Sequence, residues 1–207
     1  MTQLSRGGAT IHVAEVFDQE MGTRLTFTVA PTPLGAIGVV WGDAGILQTW
    51  LHAGTVDRAR SQIRRAVPQA VETVPSAGVA TALRDIAALL DGQPRDLGTA
   101  ELDMGAIPEF DRRVYEVART IPPGSTMTYG EVAKTLGEEP MRARDVGQAL
   151  ARNPFAPIVP CHRVVAAGGK LGGYSAPGGT ATKRRLLEIE GAAIVAPSPQ
   201  PGLFDTL

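Results

Sequence analysis

A chain of 207 residues, 43% hydrophobic and 20% charged, carries enough apolar material for one ordinary domain or two small ones, and is too apolar for a disordered or fibrous protein. Its single cysteine, Cys161, excludes an internal disulfide, and with three histidines (His12, His52 and His162) a Cys/His zinc cluster is not expected. The net charge of −1 hides a split: residues 1–109 hold 8 Lys/Arg against 12 Asp/Glu, residues 110–191 hold 12 against 8, and Asp205 completes the balance.

The start, MTQLSRGGATIHVAEVF, lacks the basic stretch, apolar run and cleavage site of a secretory signal. No run approaches the roughly 20 apolar residues of a membrane helix, so a soluble, cytoplasmic protein without membrane contact is expected. Leu25–Val29 alternates, and Gly38–Trp41 and Ile46–Leu51 flank Gly42-Asp43-Ala44-Gly45, which predicts a hairpin with Trp41 and Trp50 on sheet faces. Val56–Val67 and Val79–Leu90 have helical spacing, the second stopped by Asp91-Gly92. Gly92–Gly105, with Pro94 and three glycines, reads as a hinge between two lobes.

From Pro108 the pattern becomes helical. Phe110, Val114, Val117 and Ala118 form an apolar stripe that ends at Ile121-Pro122-Pro123-Gly124. Thr128-Tyr129-Gly130-Glu131 has the form of a capping box; Val132, Ala133 and Leu136 then point inward, and Gly137 closes the helix. Pro140 suits the first turn of the next helix, whose inner face is Val146, Ala149 and Leu150, with Arg152-Asn153-Pro154 as its stop. Two short helices around a tight turn suggest a helix-turn-helix. Ala143, Gly147 and Ala151 recur every fourth residue on the outer side of the second helix, beside Arg144 and Gln148. Spacing alone leaves two uses for such a small-residue face: tight packing on a neighbouring helix, or close approach to another surface.

The predicted fold class is therefore α+β. An N-terminal lobe (1–104) has a small antiparallel sheet with helices. A mostly helical domain (105–191) carries the helix-turn-helix and the loop with Cys161. Residues 192–207 read as a disordered tail, broken by Pro197, Pro199 and Pro201.

Three prolines between residues 154 and 160 impose an extended path that delivers Cys161 with His162 beside it. The segment Pro160-Cys161-His162-Arg163-Val164 closely resembles the active-site signature of the O6-alkylguanine-DNA alkyltransferases, the methylated-DNA–protein-cysteine methyltransferases. The resemblance extends to Thr128–Ala133, Ala143–Gly147, Arg152-Asn153-Pro154, Gly173-Tyr174-Ser175 and Leu186–Gly191, in the family's order and approximate spacing, and more loosely to residues 32–40.

This resemblance implies repair of double-stranded DNA by single-turnover transfer of an alkyl group from guanine O6 to Cys161, with no cofactor and no metal. His162 would take the thiol proton through a water, Glu190 would orient the histidine, and Tyr174 and Ser175 would donate to the departing base. Leu150 and Val164 would be apolar pocket walls, and Lys183 would touch substrate. Tyr129 and Arg144 would flip the target nucleotide and fill its place in the stack. Ala143, Gly147 and Ala151 would let the helix enter the minor groove, and Asn153 would tie that helix to the cysteine segment. A monomer, nucleoid-associated in a bacterium, is expected.

The chain also departs from the family. Phe110-Asp111 and Tyr115 stand where Phe-Gln and Trp are common, which implies altered packing. The loop after Ser175 (Ala176-Pro177-Gly178-Gly179) is longer, and Gly169-Lys170-Leu171 lacks the hydroxyl residue of a P-loop. In the tail, Gln200-Pro201-Gly202-Leu203-Phe204 resembles the short peptide with which bacterial repair proteins bind the sliding clamp, a partnership that Gln200, Leu203 and Phe204 would carry. Three rival readings are opposed by particular residues. A non-catalytic lesion binder would lack Cys161. A sequence-reading regulator would need donors that the Ala/Gly face does not offer. A Cys-His hydrolase would need its base farther along the chain than the adjacent His162.

Overall fold

The computed structural model describes residues 24–52 and 54–193. Strands β1 (Thr26–Thr32), β2 (Gly35–Gly42) and β3 (Gly45–His52) form an antiparallel meander, with Gly42 paired to Gly45 across the two-residue turn Asp43-Ala44. The predicted hairpin is thus present and longer than its alternating core. β2 is central and buried along almost its whole length, as a strand covered on both faces must be. Its alternate residues serve two cores: Ile37, Val39 and Trp41 face one, and Val40 faces the other. One irregularity escaped the pattern. Trp41 pairs with Ile46 and Val40 with Gln48, so Leu47 is the extra residue of a bulge, and β3 changes face around it.

Helix α1 (Val56–Ala66), capped by the Thr55 hydroxyl, lays Ile63 on the sheet with Phe27, Val40 and Leu47. Gly38 makes that approach feasible, because a Cβ there would fall 2.2 Å from the Ile63 Cδ1. The chain returns as β4 (Val71–Glu72), which pairs in parallel with β1 and gives the order β3-β2-β1-β4. The sheet is therefore mixed, and not wholly antiparallel as expected; two residues are too few to leave an alternating signature. Helix α2 (Ala77–Leu90) starts two residues earlier than its apolar spacing, where Ser76 caps it through the Val79 N–H. The stretch predicted as a hinge is fastened to the outer edge of β3. Ile46 N–H donates to Glu101 O (2.9 Å), and Asp103 N–H donates to Ile46 O (2.8 Å).

The second part holds α3 (Glu109–Arg119), β5 (Met127–Thr128), α4 (Tyr129–Thr135), α5 (Ala143–Ala151), β6 (Val164–Val165) and α6 (Gly179–Ile189). The capping box at Thr128 and Glu131 is formed in both directions. Pro140–Arg142 is a separate 3-10 turn ahead of α5, where an α-helical first turn was expected. β5 and β6 pair in parallel, a contact between segments too short to predict. Val114, Ala118, Val132, Val146 and Ala149 are buried and share one core with Ile37, Val39 and Ile86 from the first lobe. Burying each large apolar side chain in it contributes about 1.5–3 kcal/mol. Among the described residues no helix is long and apolar enough to cross a membrane. The tail segment with Gln200, Leu203 and Phe204 lies outside the described residues.

Candidate active site

Helix α5 ends with Arg152 as its C-cap, and the chain then runs on to Cys161. Asn153 organises this segment: its Oδ1 accepts from the Phe155 N–H (2.9 Å) and its Nδ2 donates to Val159 O (2.9 Å). Phe155, Ile158 and Val159 are buried, so the segment is held by apolar burial on one side and by the asparagine on the other. Cys161 follows at the start of a 3-10 turn, 8% exposed.

It lines a cleft of about 670 Å³ together with Tyr129, Ala143, Arg144, Gly147, Leu150, Ala151, Tyr174 and Ser175. Nine sequence-predicted residues thus meet around one space, although the chain separates them by up to 46 positions. Gln148, which carried no predicted role, also lines it. Val164 and Lys183 do not. Val164 is fully buried behind the cysteine. Lys183 is buried too, and its ammonium donates to Val164 O (2.6 Å) and Gly173 O (3.2 Å), because a cation removed from water must find acceptors within the fold. It ties the strand after the cysteine turn to the loop that carries Tyr174.

His162, Glu190 and Arg163 form a buried hydrogen-bonded cluster next to Cys161 in the chain. The His162 ring, 0% exposed, donates from Nε2 to Glu190 Oε1 (2.9 Å), since an ionised carboxylate can only accept. That bond selects the tautomer with a bare Nδ1, which is buried and has no protein partner among the described residues. Arg163 was quoted only as part of the motif, yet it holds the same carboxylate through Nε (3.0 Å) and Nη2 (2.9 Å) and donates from Nη1 to Ile121 O (2.6 Å). A charged residue inside an otherwise apolar run was the available signal.

The electrostatics follow from burial. Burial pushes the Cys161 thiol up, against hydrogen bonding from Asn153 and the nearby Lys183 charge. Burial pulls His162 down, outweighing Glu190. Burial alone would raise Glu190, but hydrogen bonds from His162 and Arg163 hold it at about 2. Lys183 is lowered by burial to about 8. At neutral pH the site therefore holds a neutral thiol, a neutral imidazole and an ionised carboxylate. The cysteine is not a preformed thiolate.

Tyr129 opens α4 with its ring between α5 and the 166–173 loop. A Cβ at Gly172, whose φ is +68°, would lie 3.1 Å from the ring, and one at Gly147 would lie 3.7 Å from it. The Tyr174 hydroxyl is buried without a protein partner among the described residues. Arg144 is exposed and makes no salt bridge there. No group of three His, Cys, Asp or Glu side chains among the described residues could hold a metal ion.

Comparison with known proteins gives consistent matches. Residues 109–192 match the family model described as 6-O-methylguanine DNA methyltransferase, DNA binding domain. A methylated-DNA–protein-cysteine methyltransferase of Methanothermobacter thermautotrophicus is 40% identical over 162 residues, covering 78% of this chain and 83% of that protein. One from Mycobacterium bovis is 51% identical over 90 residues, which span 44% of this chain and 52% of that protein. The crystal structure of the Mycobacterium tuberculosis O6-methylguanine methyltransferase superposes with a TM-score of 0.63 at 32% identity, covering 84% of this chain and 96% of that one. A structure of Mycobacterium tuberculosis OGT in complex with DNA gives 0.61, also at 32% identity, over 80% of this chain and 92% of that one.

Proposed function

Because the chain belongs to the methylated-DNA–protein-cysteine methyltransferase family, we propose that it repairs O6-alkylguanine in DNA by moving the alkyl group onto Cys161. The observation that carries this reading is the placement of the cysteine in a cleft between a small-residue helix face and the loop bearing Tyr174, with His162, hydrogen-bonded to Glu190, next to it in the chain.

The thiol is not ionised at rest, so the reaction begins with proton removal. The bare Nδ1 of His162 accepts that proton through a water, and Glu190 stabilises the imidazolium that forms. The Cys161 sulfur attacks the alkyl carbon; the S–C bond forms as the C–O6 bond breaks, and that electron pair goes to guanine. Guanine becomes neutral by taking up one proton. The Tyr174 hydroxyl and the polar groups of Ser175 donate hydrogen bonds to the base as its charge develops. The product is a thioether, and no group lining the cleft among the described residues can cleave one, so each molecule acts once.

The target atom lies within a base pair, so the nucleotide must leave the stack to reach the cleft. The small side chains at Ala143, Gly147 and Ala151 let α5 enter the minor groove, where Arg144 takes the vacated place and Tyr129 presses on the phosphate. The protein acts as a monomer in the cytoplasm, and the tail residues Gln200, Leu203 and Phe204 tether it to a sliding clamp.

Intact-mass spectrometry after incubation with an O6-methylguanine oligonucleotide tests the reading. One added methyl is expected, mapped to the Cys161 peptide. An unmodified Cys161 in the presence of excess lesion DNA overturns it.

A further inference from the structure

The segment between α5 and Cys161 has an unbalanced backbone. Pro154, Pro157 and Pro160 supply carbonyls without N–H groups, so the acceptors there outnumber the donors. Two carbonyls of this segment, those of Pro154 and Ala156, are satisfied from the other lobe by a single residue. Thr49, on the outer edge of β3, donates its N–H to Pro154 O (2.8 Å) and its hydroxyl to Ala156 O (2.6 Å). The hydroxyl also lies 3.4 Å from Pro154 O, but it has one hydrogen, and the shorter contact takes it. Thr49 is 6% exposed, and the bonds join residues 105 and 107 positions apart. The Leu47 bulge settles which way Thr49 points: beyond it, Thr49 and Leu51 share the face toward the common core, while Trp50 faces α1.

We infer that Thr49 is a positioning residue for the alkyl-transfer reaction: it fixes the height of the strap whose far end is Cys161, and through it the first lobe sets the reach of the nucleophile. The strap is anchored at Asn153 and at the Glu190–Arg163 pair, and between these points Thr49 supplies its hydrogen bonds to the sheet edge. Removing the hydroxyl leaves the half-buried Ala156 carbonyl without its close donor, and the strap shifts to bring it to water; a displacement of about 1 Å at a nucleophile is felt strongly in rate. DNA contacts on α5 do not involve this bond, so lesion affinity is independent of it.

This inference rests on the alkyl-transfer reading. Thr49→Val keeps the shape and the backbone bond and removes the hydroxyl, whereas Thr49→Ser restores it. The transfer step is measured by single-turnover kinetics, with lesion DNA and with free O6-benzylguanine, well below each variant's melting temperature. Thr49→Val is expected to slow the first-order transfer step about tenfold with both substrates, to leave the DNA dissociation constant unchanged, and to be rescued by Thr49→Ser. Wild-type transfer rates in a folded Thr49→Val, or a slowdown that Ser does not rescue, overturn the inference while the function stands. A wild-type protein that transfers nothing removes the reading beneath it.

Discussion

Arg152 donates two hydrogen bonds to Asp111, from Nε and Nη2, both 2.8 Å long, and so joins the C-cap of α5 to the first turn of α3. One turn farther along α3, the Tyr115 hydroxyl donates to Ala149 O (3.0 Å) and its ring meets Phe155 edge-on. Asp111 and Tyr115 are two positions at which the sequence reading expects a departure from the family. The departure is more than altered packing: both side chains fasten the end of the helix that presents the small-residue face. Arg113 holds the other helix of the pair by donating to Leu136 O (2.7 Å).

The two partners of that ion pair differ in burial, Asp111 at 4% and Arg152 at 52% side-chain exposure. Removing Arg152 strands a buried carboxylate, whereas removing Asp111 lets the guanidinium turn to water. Arg152→Ala is expected to cost about 3 kcal/mol of stability and Asp111→Ala about 1 kcal/mol, measured by chemical unfolding at pH 7. Equal losses would mean that the carboxylate finds another donor.

Glu190 binds its proton far less readily folded than unfolded, so its contribution to stability is fully present above pH 4.5 and is lost as pH falls toward about 2. Between pH 5 and 2 it should account for a loss on the order of 3 kcal/mol. Glu190→Gln is expected to be less stable at pH 7 and to lose about one proton of this acid dependence. The same variant should transfer alkyl groups more slowly, because His162 loses the carboxylate that stabilises its charged form. An unchanged acid slope in Glu190→Gln would assign the linkage elsewhere.

Gly172→Ala places a Cβ 3.1 Å from the Tyr129 ring, on a backbone with φ of +68°. The conformation alone costs about 1–2 kcal/mol, and the ring must shift as well. Repair of duplex DNA should fall further than reaction with free O6-benzylguanine, which needs no flipping. Stopped-flow comparison of the two substrates checks this; a proportional loss in both would separate Tyr129 from flipping.

Arg144→Ala should likewise slow duplex repair while sparing the free base, and DNA affinity should fall with salt and vary little with sequence. A strong preference for one sequence would favour a regulatory protein.

For the tail, a peptide spanning residues 196–207 should bind a bacterial sliding clamp weakly in a fluorescence titration. Replacing Leu203 and Phe204 with Ala should abolish that binding, yet leave repair of short oligonucleotides by the full chain normal. No binding by the wild-type peptide at high micromolar concentration would remove the clamp as a partner.

The sequence alone determined whatever depends on neighbours in the chain. The hairpin at Asp43-Ala44, the Thr128 capping box, the inner face of α5 and the Asn153 turn all rest on contacts a few residues apart, and each was legible. The motif that places Cys161 beside His162 was legible too, because it is contiguous. The tertiary structure decided the rest, where partners are distant and no local period marks them: the parallel pairing of β4, the bulge at Leu47, the Asp111–Arg152 pair 41 positions apart, and Thr49 beneath the strap. Burial at the site is likewise a tertiary property. Burial, which no motif encodes, pushes the Cys161 thiol up and pulls the His162 imidazole down.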